Sequence, residues 1–182
     1  MAEETLQKND EYFMKIALEQ AKFALALNEV PVGAVIVKNG EVIATGYNRR
    51  ETDKNAILHA EMVAINAACA VLGGWRLWEC EMYVTLEPCP MCAGAIINSR
   101  IKRVVYGACD QKAGCCESVV DLFALPFNHT PIIVKGVCED ESNKMLKEFF
   151  EYLRQNPKPK WKKRGNGGTT VLREQDSSLR SE

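Results

Sequence analysis

Long hydrophobic runs are missing from this sequence. No stretch approaches the roughly 20 consecutive apolar residues that a membrane-spanning helix needs. The opening residues, Met1 to Asp10, are polar and acidic, so no secretory signal is read there and a cytoplasmic chain without membrane contact is expected. A charge excess is missing too: 23 basic and 24 acidic side chains leave a net charge of −1. Such a balance does not announce a nucleic-acid binder. No internal repeat is visible, and with 47% hydrophobic and 26% charged residues the collagen-like, mucin-like and wholly disordered classes are excluded. Histidine is scarce, with only His59 and His129 in 182 residues. Cysteine is not. Eight of them in a chain without a secretory signal argue for reduced thiols used in metal binding or catalysis rather than for disulfides.

Charge is unevenly placed. Residues 157–182 carry seven basic and three acidic groups, a net of +4, which leaves 16 basic and 21 acidic groups on residues 1–156. Pro157 and Pro159 end any helix, and Gly165 to Thr170 has no apolar period. The expected organisation is one folded domain over residues 1–156 and a basic, then polar, mobile tail over 157–182. The basic piece, Lys158 to Arg164, could touch phosphates or simply solubilise the chain.

Asp10 reads as the N-cap of a first helix reaching Asn28, with Phe13, Ile16, Ala17, Ala21 and Ala24 at helical spacing. Val32 to Val37 and Glu41 to Tyr47 read as a hairpin about Asn39-Gly40. A helix over His59 to Leu72 stops at Gly73-Gly74, and Met82 to Leu86 is a third strand. Pro90 to Ser99 is a helix with proline suited to its first turn, and Arg103 to Gly107 a fourth strand. A short helix over Glu117 to Phe123, a fifth strand over Ile132 to Val137 and a closing amphipathic helix over Asp140 to Gln155 complete the reading. The order predicts an α/β fold, three-layer α/β/α, around a mixed five-stranded sheet.

One constellation carries chemistry: His59-Ala60-Glu61 at one helix start and Pro88-Cys89-Pro90-Met91-Cys92 at another. Cys89 and Cys92, three apart at a helix start, can grip one metal from one face. With one imidazole they make a formally neutral Zn²⁺ site whose fourth position is left for water, the layout of a catalytic zinc. Glu61 can then swing toward that water and carry its proton. Two other readings stay open at this point. A C-x-x-C can be a redox pair, or half of a structural zinc whose fourth ligand is Cys109, Cys115, Cys116, Cys138 or His129.

From Asp10 to Arg154 the chain resembles the zinc-dependent cytidine/deoxycytidylate deaminase superfamily, and within it the bacterial tRNA-specific adenosine deaminases. The resemblance lies in Asn28-Glu29-Val30-Pro31-Val32-Gly33, Gly46-Tyr47-Asn48-Arg49, His59-Ala60-Glu61, Thr85-Leu86-Glu87-Pro88-Cys89 and Met91-Cys92-Ala93-Gly94. It implies a cytidine-deaminase-like fold, one zinc per chain on His59, Cys89 and Cys92, and Glu61 as proton shuttle. A zinc-activated water would add at C6 of adenine, and loss of ammonia would leave inosine. It also implies that Asn48 contacts the flipped base or its sugar, that Asp110 lies near the target ribose and Asn128 beside the base, and that Glu87 orients the site. The implied function is hydrolytic deamination of the wobble adenosine in the anticodon stem-loop of a tRNA by a homodimer. Arg49, Arg50, Lys54, Lys102, Arg103 and Lys112 are the candidates for a phosphate-binding patch. The rivals are a deaminase of a free base or nucleotide, such as guanine or deoxycytidylate, and a non-enzymatic RNA-binding protein with a structural zinc. Cys115-Cys116 stands where the relatives usually carry small residues, and residues 165–182 have no counterpart among them.

Overall fold

The computed structural model describes residues 2–156, so the expected tail at 157–182 lies outside the described residues. The chain runs α1 (Ala2–Ala26), β1 (Gly33–Lys38), β2 (Glu41–Tyr47), α2 (Ala60–Leu72), β3 (Cys80–Leu86), α3 (Pro90–Ser99), β4 (Arg103–Ala108), β5 (Ile132–Lys135) and α4 (Glu139–Gln155). The five strands form one sheet in the order β2-β1-β3-β4-β5. The expected mixed sheet is what forms. β1 pairs antiparallel with β2 and β3, while β3, β4 and β5 run parallel. Asn39 and Gly40 both have positive φ (52° and 79°), the backbone that a tight two-residue hairpin requires. The β3-to-β4 connection is parallel and therefore needs a crossover, which α3 supplies.

Strand alternation sorts the core into two halves. Ala34, Ile36, Met82, Val84, Val104 and Tyr106 face α2 and α3, whereas Val35, Val37, Tyr83 and Val105 face α1. α4 shares the α1 side, where Met145 and Phe149 lie beside Leu25. Close approach of α2 to the sheet depends on Gly46: a Cβ there would collide with the Ala60 carbonyl and come within 2.6 Å of the Ala64 nitrogen. That contact sets the height of α2, and with it His59 and Glu61, above β2.

Asp10 is not a helix cap. It lies inside α1, 5% exposed, and its carboxylate accepts two hydrogen bonds from Arg103 at 2.6 and 2.8 Å. Arg103 also donates to Glu81 at 2.9 Å, and the Tyr83 hydroxyl lies 3.0 Å from an oxygen of each carboxylate. An aspartate before an apolar period looks the same in sequence whether it caps a helix or pairs with a strand residue 93 positions away. Asp10→Ala leaves a buried guanidinium with only the partly exposed Glu81 as counter-charge, so a loss of about 3–5 kcal/mol in urea unfolding is expected. A loss below about 1 kcal/mol would show that Glu81 alone suffices.

The expected helix over Glu117 to Phe123 does not form. Cys116 and Asp121 make an isolated antiparallel bridge, and the Asp121 carboxylate accepts the Phe123 and Ala124 N–H groups in a local turn that competes with helix. Elsewhere the differences are at the ends: α1 starts nearer the N-terminus, β3 begins at Cys80, and β5 stops at Lys135. Among the described residues no helix is long and apolar enough to cross a membrane.

Candidate metal centre and active site

Two helices begin at one place. His59 occupies the N-cap of α2 and Cys89 the N-cap of α3, both with extended backbone and neither making a side-chain capping bond. Pro90 opens α3, where a missing N–H costs nothing. The free N–H groups and dipoles of both first turns favour negative charge at the point where the two ends meet.

His59 Nδ1 lies 3.6 Å from Cys89 Sγ and 3.7 Å from Cys92 Sγ, and all three donor atoms fall within 4.8 Å of one another. Around a tetrahedral zinc, Zn–S of ~2.3 Å and Zn–N of ~2.0–2.1 Å place sulfur and nitrogen about 3.5–3.6 Å apart. The donor set fits that ion in type and in spacing. Hydrogen bonds from Cys92 and, against the cost of burial, from His59 lower the Cys89 thiol to about 4, and the same Cys89–Cys92 bond pushes Cys92 up. A dication bound between the two sulfurs would favour both as thiolates. The bond to Cys89 also raises the His59 ring.

No fourth protein ligand joins this group among the described residues. Of the candidates, Cys115 and Cys116 are buried thiols pushed up by burial, and Cys109 is exposed. The His129 Nε2–H donates to the Ile101 carbonyl at 2.6 Å. The structural-zinc reading lacks its last ligand.

Glu61 is 4% exposed at the wall of a cavity of about 240 Å³. Burial is the main cause that pushes its carboxyl up, with the Cys89 charge in support, against its own backbone N–H, His59 and Cys92. A carboxyl raised in this way can both hold and release a proton. Asn48, at the end of β2, and Asp110, beyond β4, line the same cavity as His59, Glu61 and Cys89. Asn128 does not: it lines a separate groove along α3 with Pro90, Gly94 and Asn98. The candidate basic patch also divides. Arg50 lines the cavity and Lys54 lies beside it, whereas Arg103 is buried on Asp10 and Lys102 lies at the start of β4, the end away from the site.

Two further buried glutamates hold residues of the cavity wall. Glu87, 2% exposed, accepts the backbone N–H groups of Asp110 (3.0 Å), Cys116 (2.8 Å) and Ser118 (3.2 Å) and the Ser118 hydroxyl. Burial raises its carboxyl, but the Ser118 hydroxyl and the three N–H groups outweigh it and the net shift is downward. A Cβ on Gly114 would strike this carboxylate, so glycine lets the loop fold onto it. Glu87 thereby holds the backbone of Asp110. Glu29, 1% exposed, lies behind the cavity wall, bonded to the Asn48 that lines it, and the sequence by itself assigns it no role. Nothing in a local pattern separates it from a surface glutamate.

Two cysteines and a histidine that would hold a metal, with no fourth protein ligand among the described residues and a buried carboxyl alongside, make a donor set of the hydrolytic zinc type. The pattern of the cytidine and deoxycytidylate deaminase zinc-binding region matches residues 7–108, and this chain belongs to that family. It is similar to a tRNA-specific adenosine deaminase of Bacillus subtilis (strain 168), 51% identical over 150 residues, 82% of this chain and 93% of the relative. A solved structure from a study of A-to-I editing by tRNA:A34 deaminases at the wobble position superposes with a TM-score of 0.72 at 46% identity, over 74% of this chain and 99% of that one. A guanine deaminase from Bacillus subtilis superposes less well, with a TM-score of 0.53 at 35% identity, over 82% and 97% of the two chains.

Proposed function

We propose that this chain is a hydrolase that converts the wobble adenosine of a tRNA anticodon loop to inosine. The observation that carries the reading is the three-ligand centre beside Glu61 in a cavity with room for one heterocycle, in a chain more similar to the tRNA-acting relatives than to guanine deaminase. At about 240 Å³ the cavity is below the ~300–1,000 Å³ usual for whole small ligands, so the rest of a polynucleotide would lie outside it.

Zinc, when bound by His59, Cys89 and Cys92, supplies an activated water. Glu61 does the proton work: its carboxylate takes a proton from the attacking water, gives it to the purine ring nitrogen and carries another to the departing ammonia. Asn48 and Asp110, which line the same cavity as Glu61, hold the nucleotide, and Val30, Val32 and Leu86 keep bulk water from the ring. Arg50, Lys54 and Lys112 are placed to meet phosphates at the rim. The same reading places the enzyme in the cytoplasm as a homodimer. Support for a subunit contact comes from half-exposed Leu125 and Phe127 beside the α3 groove.

The guanine deaminase likeness favours one other reading, a free-base substrate. Ammonia release separates the two. An anticodon stem-loop brings binding energy from neighbouring nucleotides that a free nucleoside lacks, and that energy offsets base extrusion. Its kcat/KM is expected to exceed that of free adenosine, cytidine or guanine by about 10²-fold or more. A free base or nucleotide that proves the better substrate overturns the RNA assignment.

A further inference from the structure

The loop from Arg49 to Leu58 leads directly into His59, and it is closed at its base by the Arg49 N–H bonding the Leu58 carbonyl at 3.0 Å. Glu29, on the turn between α1 and β1, joins this loop to Asn48. Its Oε1 accepts the Thr52 backbone N–H at 2.5 Å, and its Oε2 accepts the Asn48 carboxamide nitrogen at 3.3 Å. The same Asn48 nitrogen lies 3.4 Å from the Val30 carbonyl. Both acceptors around that nitrogen are oxygens without a proton to give. Turning the Asn48 amide over would set its oxygen against a carboxylate and a carbonyl at once, and unmade buried hydrogen bonds are expensive.

We propose that Glu29 is a positioning residue for the substrate: it decides which end of the Asn48 carboxamide faces the cavity. With the nitrogen drawn to Glu29 and Val30, Asn48 presents Oδ1 to the cavity as an acceptor for a hydrogen-bond donor on the substrate. The choice of a carboxylate follows from the count of donors. Two N–H groups, on Asn48 and Thr52, converge on one side chain, and a glutamine has only one oxygen to offer them. Burying a carboxylate here is costly unless both oxygens are occupied, which they are. The inference rests on the cavity being the substrate site, as proposed above.

The test is a double-mutant cycle of Glu29→Gln and Asn48→Ala on the zinc-loaded protein, with zinc content and Tm measured for each variant. Glu29→Gln is expected to lower kcat/KM by about tenfold or more in the wild type, and by less than about twofold once Asn48 is replaced by alanine. A residue that acts only on stability would give losses that multiply. Multiplying losses, or a Glu29→Gln variant within about twofold of wild type, overturn the proposal. If Glu29→Gln does not fold, the pair E29Q/N48D decides. In that pair the new carboxamide at position 29 keeps its oxygen for the Thr52 N–H and offers its NH₂ to the new carboxylate at position 48. One oxygen of that carboxylate then lies beside the Val30 carbonyl and the other faces the cavity, so the recovery expected is partial. Activity above that of Asn48→Ala supports the proposal, and activity no better overturns it. Each comparison is a ratio on whichever purine substrate the wild type deaminates best. A failure of the RNA reading would therefore show in the wild type, and a failure of the Glu29 role only in the cycle.

Discussion

Glu61→Ala is expected to lower kcat by about 10²–10⁴-fold while the zinc content and the fold stay as they are. The reasons for the separation are structural. Glu61 is outside the ligand group, so the metal keeps its three donors when the carboxyl is removed. Its side chain is buried, and among the described residues its carboxyl makes no salt bridge that ties α2 to another element. What disappears is the one buried group on the cavity wall, apart from the ligands, whose carboxyl is placed to hold a proton and pass it on. Glu61→Gln makes the sharper control, since it keeps the volume and removes only the titration. Pre-steady-state ammonia release with matched zinc loading is the measurement. A variant within about threefold of wild type, under ~1 kcal/mol in the barrier, would assign the proton transfers elsewhere.

Cys92→Ala is expected to do something different: zinc and activity fall together. Cys92 is fully buried on the first turn of α3, with its sulfur 3.7 Å from His59 Nδ1. Two ligands and two waters hold zinc far less firmly than three ligands, and metal binding is coupled to folding through whatever elements the ligands join. Here those are α2 and α3, tied across 33 residues. Elemental analysis after dialysis should find the variant largely free of zinc, deamination should fall below detection, and Tm should drop toward that of chelator-treated wild type. Full zinc occupancy in the variant would remove Cys92 from the ligand set.

Much of this is legible in the sequence, for a physical reason that differs between parts. The hairpin at Asn39-Gly40, the proline start of α3 and the period of α2 are local signals, decided by backbone preferences within a few residues. The metal ligands are legible because their chemistry is rare: two thiols three apart and one of only two histidines. What stays hidden is long-range. Asp10 reads as a cap until Arg103 is beside it, and Arg103 reads as a surface cation until it is found buried. The sequence assigns Glu29 no role and Glu87 one only by resemblance, since their partners are N–H groups 19 to 31 residues away that only the fold delivers. Asn128 is placed beside the base by likeness alone, and the structure puts it in the separate groove along α3.

The N-caps of α2 and α3 have one more consequence. Ser, Thr, Asp or Asn at positions 59 and 89 would each add roughly 1 kcal/mol to the helix that follows. The chain places histidine and cysteine there instead, and neither makes a capping bond. Stability has been traded for chemistry at both helices, of 13 and 10 residues, and at the same spot in the molecule. A zinc held by His59, Cys89 and Cys92 would do for the two helix starts together what a cap would do for each alone. Loss of the metal and fraying of the helices are then expected as one event, located at the wall of the cavity that His59 and Cys89 line.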